Sequence, residues 1–268
     1  MNPLRTRALA TLLSMLAVSG TALAADGGNK LTIMVGGATK IIYLPAKLTE
    51  QLGYFKDEGL DVEIQSQPAG VDAENELLAG AVQGVVGFYD HTIDLQSKGK
   101  EVEAVVVFGQ VPGEAEMVAT RAASQIRSMA DIKGKTLGVT GLGSSTNFLT
   151  QYLAFRAGVT SSQFTVLPVG ADATFIAAIR QGRIDAGMTT EPTISQLQKT
   201  GEAQVLVDMR TVEGTTQALG GLYPASSLYM QRAWVDTHKD QVQKLARAFV
   251  KTLHFMKTHT SDEIAQRM

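Results

Sequence analysis

A loop rich in glycine and hydroxyl groups stands directly before a predicted helix over residues 146–157. Its sequence is Gly141-Leu142-Gly143-Ser144-Ser145-Thr146. A helix start presents unpaired N–H groups and the positive end of the helix dipole, so it favours an anion. The hydroxyls can also cap the helix, and the two roles are compatible when different groups perform them. The candidate ligands for the oxygens of an anion are therefore Gly143, Ser144, Ser145 and Thr146.

A second glycine-rich loop, Gly36-Gly37-Ala38-Thr39-Lys40, joins a predicted strand over residues 31–35 to a predicted helix that begins at Leu44. Glycine lets the backbone approach a ligand closely, and Lys40 adds a positive charge. An ordinary strand-to-helix turn is the alternative, and the loop has no nucleotide-binding glycine pattern. The candidate ligand-binding residues of this region are Gly37, Ala38, Thr39, Lys40 and Tyr43.

An aromatic ring, a carboxylate and an imidazole follow the short buried strand predicted over residues 85–88. They are Tyr89, Asp90 and His91, and such a set can recognise a ring or an amine. In the alternative, Asp90 caps the next helix and His91 is solvated. All three are retained as candidate ligand-binding residues.

Two further loops contribute candidates. Gly70 ends the loop that follows the predicted strand over residues 60–66, while Thr189 and Glu191 follow the strand predicted over residues 186–188. A purely structural role also explains Glu191, because the proline after it is favoured in the first turn of a helix. Gly70, Thr189 and Glu191 complete the predicted ligand-binding set.

Short β-branched strands alternate with helical segments along most of the chain. One series begins at residue 31, and a second begins at Met117. Short connections between alternating strands and helices predict parallel sheets covered by helices, and therefore an α/β fold. Ligands of such sheets bind beyond the carboxyl ends of the strands, where the candidate loops lie.

The composition excludes several classes of protein. The 268 residues include 24 Lys and Arg against 26 Asp and Glu, and a formal net charge of −2 gives no basic surface for nucleic acid. The absence of cysteine excludes disulfides, thiolate metal sites, cysteine nucleophiles and iron–sulfur clusters. Neither G-x-S-x-G nor H-E-x-x-H occurs. We therefore expect no catalytic residues, no metal and no cofactor.

Residues 1–24 have the features of a secretory signal peptide. Arg5 and Arg7 precede an apolar run over residues 8–19, and Ala24 ends a small-x-small pattern. The run is shorter than the roughly 20 residues that span a bilayer, and no cysteine is available for lipid attachment. We expect cleavage after Ala24 and a free periplasmic protein with no direct membrane anchor.

Four segments occur in an order that is typical of one family. They are Tyr43-Leu44-Pro45-Ala46 with GYFKDEGLDVE at 53–63, DIKGKTLGV at 131–139 with Gly143-Ser144-Ser145, GRIDAGMTTEP at 182–192, and LYPASSLYM at 222–230. Together they resemble the substrate-binding proteins of ABC importers. The resemblance is to the branch that serves nitrate, taurine, alkanesulfonates and pyrimidine precursors of thiamine.

The resemblance implies the two-lobe class II periplasmic binding protein fold. Each lobe is expected to be a mainly parallel sheet flanked by helices, and two crossover strands join the lobes. Lobe 1 is expected at residues 31–112 plus 221–268, and lobe 2 at residues 113–220.

The same resemblance implies a periplasmic receptor for a small anionic or aromatic organic solute. The solute would be held between two closing lobes and delivered to an ABC permease with its ATPase, and the receptor is expected to be a monomer. The alternative is an enzyme of this fold, related to pyrimidine or menaquinone precursor biosynthesis. The pyrimidine-synthase relatives carry a cysteine-rich iron-binding motif, which a chain without cysteine lacks. We therefore expect a binding protein rather than an enzyme.

Overall fold

The computed structural model describes residues 30–268, and the predicted signal peptide with its cleavage site lies outside that range. The strands are β1 (Lys30–Val35), β2 (Asp61–Ser66), β3 (Gly84–Phe88), β4 (Val102–Val107), β5 (Glu114–Ala119), β6 (Thr136–Val139), β7 (Thr165–Pro168), β8 (Ala186–Thr190), β9 (Ala203–Met209) and β10 (Ser226–Gln231). The helices are α1 (Leu44–Gln51), α2 (Tyr54–Asp57), α3 (Gly70–Leu78), α4 (Tyr89–Ser97), α5 (Ser145–Arg156), α6 (Asp172–Arg180), α7 (Thr193–Thr200), α8 (Val212–Leu219), α9 (Arg232–Thr237), α10 (Lys239–Thr258) and α11 (Ser261–Ala265). Short 3-10 turns lie at Ile41–Tyr43, Thr120–Ala122, Met129–Ile132 and Ser161–Gln163.

The strands form two five-stranded sheets with the same arrangement. Their orders are β2-β1-β3-β10-β4 and β7-β6-β8-β5-β9. Each sheet contains one strand, β10 or β5, that runs antiparallel to the neighbour on either side, while the remaining pairs are parallel. Helices pack against both sheets. The two-sheet α/β architecture predicted from the sequence is confirmed.

We call the first sheet with α1–α4, α9 and α10 the first lobe, and the second sheet with α5–α8 the second lobe. The chain leaves the first sheet after β4 and returns to it at β10. Each lobe has its own apolar core, with Leu228 and Phe249 buried in the first and Phe175 and Met188 in the second. Because each lobe buries its own core, the lobes can move relative to one another without exposing either core.

The glycine-rich segment Glu213-Gly214-Thr215-Thr216 lies within helix α8. Thr211 caps this helix by accepting a hydrogen bond from the Gly214 backbone N–H. A Cβ at Gly214 would lie 2.1 Å from the Asp208 carbonyl oxygen, so the close approach of α8 to β9 requires glycine.

Trp234 is only partly buried. Its indole packs at the edge of the first-lobe core and stacks on the His238 ring with centroids 4.2 Å apart. Among the helices of the described residues, none combines the length and apolar character needed to cross a membrane.

Candidate functional site

A small cavity lies between the lobes, at the edge where β1, β3, β6 and β8 end. Its volume is only about 10 Å³, which is roughly the space of one water molecule. The residues that line it come from both lobes: Lys40, Ile42, Tyr43, Gly70, Phe88 and His91 from the first, and Glu114, Thr140, Ser144, Ser145, Thr146 and Thr190 from the second. The structure therefore represents a closed cleft with polar walls.

Lys40 provides a positive charge on the first-lobe wall. Its side chain is 3% exposed, and burial lowers the pKa of its ammonium to about 8, although the charges of Glu114 and Asp172 oppose that shift. The ammonium lies 5.9 Å from the centre of the Tyr43 ring, within reach of a cation–π interaction. Within the described chain, no carboxylate lies within 4 Å of it. The ammonium is thus available to an acceptor on a ligand.

His91 and Asp90 form the neighbouring part of the first-lobe wall. His91 Nδ1 lies 3.1 Å from the Tyr229 hydroxyl, whereas Nε2 has no hydrogen-bond partner in the described chain. Asp90 Oδ2 accepts a hydrogen bond of 2.7 Å from the Tyr223 hydroxyl, and Asp90 Oδ1, also without a partner there, lies 3.8 Å from His91 Nε2. Burial lowers the pKa of His91, which favours the neutral imidazole.

Glu74 lies behind His91, away from the cavity lining. Its Oε2 atom is 3.8 Å from His91 Nδ1, and burial raises the pKa of Glu74 to about 7. The imidazole is therefore enclosed between a carboxyl group and the Tyr229 hydroxyl on one side and the cavity on the other. Only Nε2 remains free to bind a ligand.

Glu114 and Thr190 provide the second-lobe wall. They lie directly opposite one another in the antiparallel pair of β5 and β8, so their side chains point to the same face of the sheet. Glu114 Oε2 and Thr190 Oγ1 are both buried without a hydrogen-bond partner in the described residues. Burial raises the pKa of Glu114 well above its ordinary value, and the Asp90 charge raises it further.

The start of α5 completes this wall. Thr146 Oγ1 accepts a hydrogen bond of 3.1 Å from the Thr140 N–H and also contacts the Thr140 hydroxyl, which fixes the loop after β6. Ser145 is 2% exposed, and its hydroxyl lies close to that of Tyr223 but makes no hydrogen bond of normal geometry within the described chain. Ser145 therefore offers a free hydroxyl beside the helix N-terminus.

The lobes touch at several points around the cavity. The Val71 N–H donates to Ser144 Oγ over 3.4 Å, and the Ile41 N–H donates to the Glu191 carbonyl over 3.1 Å. Thr39 donates to Asp172 Oδ2 over 2.5 Å. These three contacts join the lobes directly.

Seven of the fifteen predicted ligand-binding residues line the cavity. They are Lys40, Tyr43, Gly70, His91, Ser144, Ser145 and Thr146. Asp90 and Thr39 lie beside it and make the contacts described above. The structure thus brings residues from four separate predicted loops to one place.

The remaining predicted residues lie outside the lining. The Ala38 N–H donates to Ser66 Oγ over 2.9 Å. The Glu191 carboxylate pairs with Arg210 at 2.7 Å and accepts from the Ser195 N–H in the first turn of α7. Thr189 is buried, but strand alternation turns its side chain to the face opposite Thr190. Gly37, Tyr89 and Gly143 also lie outside the lining.

Glu114 is the principal lining residue that the sequence analysis missed. Ligand-binding residues were expected beyond the carboxyl ends of the strands. Since β5 runs antiparallel to β8, its amino end lies at that same edge. The available signal was Glu114-Ala115-Glu116, in which acidic residues alternate within an otherwise apolar strand. Ile42, Phe88, Thr140 and Thr190 were also absent from the predicted set.

A larger hollow of about 610 Å³ lies on the surface beside α5. It is lined mainly by apolar side chains, among them Phe148, Tyr152 and Leu222. Four of the eight buried polar atoms without a partner in the described residues belong to side chains that line the smaller cavity, and none belongs to the larger hollow. Because such atoms are rare in folded proteins, they identify the interlobe cavity as the better candidate site.

Comparison with known proteins places the chain in a family. Residues 43–262, most of the chain, match the family model described as NMT1/THI5 like. The chain belongs to the NMT1/THI5-like family. This confirms the resemblance recognised from the four sequence segments.

Two curated relatives show the range of the family. The chain is 26% identical over 164 residues to the 4-amino-5-hydroxymethyl-2-methylpyrimidine phosphate synthase of Schizosaccharomyces pombe, which covers 61% of this chain and 45% of the relative. It is 20% identical over 226 residues to the putative binding protein YtlA of Bacillus subtilis, which covers 84% of this chain and 65% of the relative. The chain thus spans only about half to two thirds of these relatives.

Solved structures share the fold. A protein of Bordetella bronchiseptica is 36% identical with a TM-score of 0.85, and the match covers 90% of this chain and 76% of that one. The alkanesulfonate-binding protein SsuA of Xanthomonas axonopodis, bound to MOPS, is 21% identical with a TM-score of 0.66, covering 89% and 83%. The periplasmic nitrate-binding protein NrtA of Synechocystis is 16% identical with a TM-score of 0.69, covering 90% and 66%. The family member described here therefore has the periplasmic binding protein fold, as found in components of ABC importers.

Proposed function

We propose that the protein is a periplasmic solute receptor that holds a small organic solute in the interlobe cavity and delivers it to an ABC permease. One observation carries this proposal. His91 Nε2, Glu114 Oε2, Ser145 Oγ and Thr190 Oγ1 surround one cavity, and all four atoms are buried without partners in the described chain. A buried polar atom without a hydrogen bond is costly, so its retention favours a role in binding.

The cavity is too small for an organic solute in the closed arrangement. Ligand sites commonly enclose roughly 300–1,000 Å³, against about 10 Å³ here. The solute therefore enters when the lobes part, and it shifts the population to a liganded closed form by contacting both lobes at once. We propose that the permease recognises this liganded form, and that the receptor acts as a monomer.

An enzymatic role is the alternative, because one relative is named as a pyrimidine phosphate synthase. The chain has no cysteine, so it lacks the cysteine-rich iron-binding motif of the pyrimidine-synthase relatives. We expect binding without turnover. Mass spectrometry of each bound solute after prolonged incubation would show it unchanged.

The proposal is tested by thermal-shift screening and calorimetry of the exported protein against nitrate, alkanesulfonates, aromatic carboxylates and pyrimidines. A solute at a hundredfold excess over its Kd stabilises the folded state by about 2.7 kcal/mol. We expect at least one class to raise the melting temperature and to bind with a stoichiometry of one. Absence of binding by every class would contradict the proposal.

A further inference from the structure

Two buried carboxyl groups lie at the interlobe cavity, one from each lobe. Glu114 belongs to the second lobe and lines the cavity, and Asp90 belongs to the first lobe and lies at the cavity edge, 3.8 Å from His91 Nε2. They are 1% and 8% exposed. Each has one carboxyl oxygen that is buried without a hydrogen-bond partner in residues 30–268.

Neither carboxyl group forms an ion pair with a lysine or arginine within 4 Å in the described part of the chain. The basic group within 4 Å of Asp90 there is His91, whose lowered pKa favours the neutral ring. After burial itself, the Asp90 charge is the largest influence that raises the pKa of Glu114. The Asp90 charge therefore disfavours the charged form of Glu114 across the cleft, and the Lys40 charge opposes that effect.

A ligand with hydrogen-bond donors would satisfy the free oxygens of both carboxyl groups. An N–H group between the lobes satisfies the free oxygens and stabilises both carboxylates, whereas a ligand with only anionic oxygens adds a third negative group. We infer that the solute presents a protonated amine or other N–H donors to Glu114 and Asp90. This inference rests on the proposed function, and it names the chemical class of the solute.

The rest of the wall indicates the other end of the solute. The Lys40 ammonium and the Ser145 hydroxyl are buried donors that line the same cavity, and Ser145 stands at the N-terminus of α5, so they suit acceptor oxygens. The solute is therefore a compact molecule with both kinds of group, such as an amino acid-like zwitterion or an amino-substituted heterocycle. Its nitrogen would also join the lobes, because Asp90 and Glu114 lie on different ones.

Matched pairs of probes test the inference by calorimetry on the unmodified protein. The pairs are 2-aminoethanesulfonate with ethanesulfonate, 3-aminopropionate with propionate, and 4-aminopyrimidine with pyrimidine, and nitrate serves as an anion without a donor. We expect the nitrogen-bearing member of at least one pair to bind roughly 10- to 100-fold more tightly than its partner, the range of a hydrogen bond to a charged group.

The variant Glu114→Gln keeps the size of the side chain and removes the charge. It should abolish most of the preference for the nitrogen-bearing probe. The matched control is Glu116→Gln, two residues further along β5, because Glu116 is buried but does not line the cavity. The control should keep the preference.

The possible failures are distinguishable. Equal or tighter binding of the partner without the donor, or an unchanged preference in Glu114→Gln, would overturn the inference. Binding of nitrate or ethanesulfonate alone would also overturn it and leave the receptor function in place. If no probe and no class in the wider screen binds, the proposed function itself fails.

Discussion

The Thr39 hydroxyl of the first lobe donates a hydrogen bond to Asp172 Oδ2 of the second lobe over 2.5 Å. Asp172 has φ 51°, and among the non-glycine residues of the described chain it alone has a positive φ. Such a conformation costs roughly 1–3 kcal/mol. Thr193 helps to hold it, because its Oγ1 lies 3.1 Å from both the Asp172 N–H and Oδ1. The pair joins the lobes at the rim of the cleft.

Removing this bond should weaken solute binding without lowering the folding stability of either lobe. Thr39→Val deletes a hydrogen bond that exists only when the lobes are together, so we expect an affinity loss of about fivefold at an exposed site. The melting temperature without solute should stay constant. Calorimetry checks the affinity, and Thr237→Val is the control because Thr237 bonds within its own helix and to adjacent His238. An equal loss in both variants would argue against the role of the rim contact.

A side chain at Gly141 should obstruct closure. A Cβ there would lie 3.1 Å from Ala69 Cβ and 3.2 Å from Val71 Cγ1, both in the first lobe. Gly141→Val therefore forces the lobes apart, and we expect affinity to fall at least tenfold while far-ultraviolet circular dichroism is unchanged. Ala81→Val adds bulk at an exposed position of the first lobe and should bind normally. Normal binding by Gly141→Val would show that this contact is not needed.

The Thr190 hydroxyl in the cavity should increase the affinity for the solute and lower the stability of the free protein. It is buried without a partner in the described residues, so Thr190→Val should unfold at an equal or higher temperature but bind solute about tenfold more weakly. Thr150→Val provides the opposite case. The Thr150 hydroxyl donates to Glu116 Oε2 over 2.9 Å, and its loss should lower the melting temperature and leave affinity intact. Identical effects of the two substitutions would contradict this assignment.

The contribution of Glu116 to stability should fall as the pH rises from about 4.5 towards 8, whereas the lowered pKa of His91 acts in the opposite direction. Burial raises the pKa of Glu116 to about 8, despite the hydrogen bond from Thr150. The folded state thus holds a proton that the unfolded state releases above its ordinary carboxyl pKa, and folding loses free energy through that interval. Urea denaturation at pH 5, 7 and 8.5 measures the slope, and Glu116→Gln should flatten it. Glu74 acts in the same direction with a pKa of about 7. A slope that Glu116→Gln leaves unchanged would contradict this origin.

The alternation of strands and helices allowed the two-sheet α/β fold to be predicted, because local periodicity determines where each element lies. The expectation that ligands bind beyond the carboxyl ends of strands correctly predicted that Lys40, His91 and Ser145 lie at one edge. It failed for Glu114, because the direction of β5 depends on its antiparallel pairing with β8 and β9, which local sequence does not encode. It placed Thr189 rather than Thr190 at the site because a shift of one residue reverses the face of a strand.

Long-range contacts also could not be predicted from the sequence. Nothing in the local pattern of Thr39 or Asp172 relates the two positions, which are 133 residues apart. Ion pairs could not be predicted either. Glu191 was a candidate ligand, but its carboxylate pairs with Arg210. The position of a polar residue in a loop could be predicted, whereas its partner depends on packing between elements.

The central claim is that a solute binds between the lobes and holds them together. Because the chain has no cysteine, Lys100→Cys in the first lobe and Phe155→Cys in the second can carry two dyes at exposed positions. Single-molecule energy transfer then reports the distance between the lobes as a bound solute is titrated. We predict a population that shifts to one narrow distance, with a midpoint equal to the calorimetric Kd. Saturated binding with an unchanged distribution of distances would contradict the account.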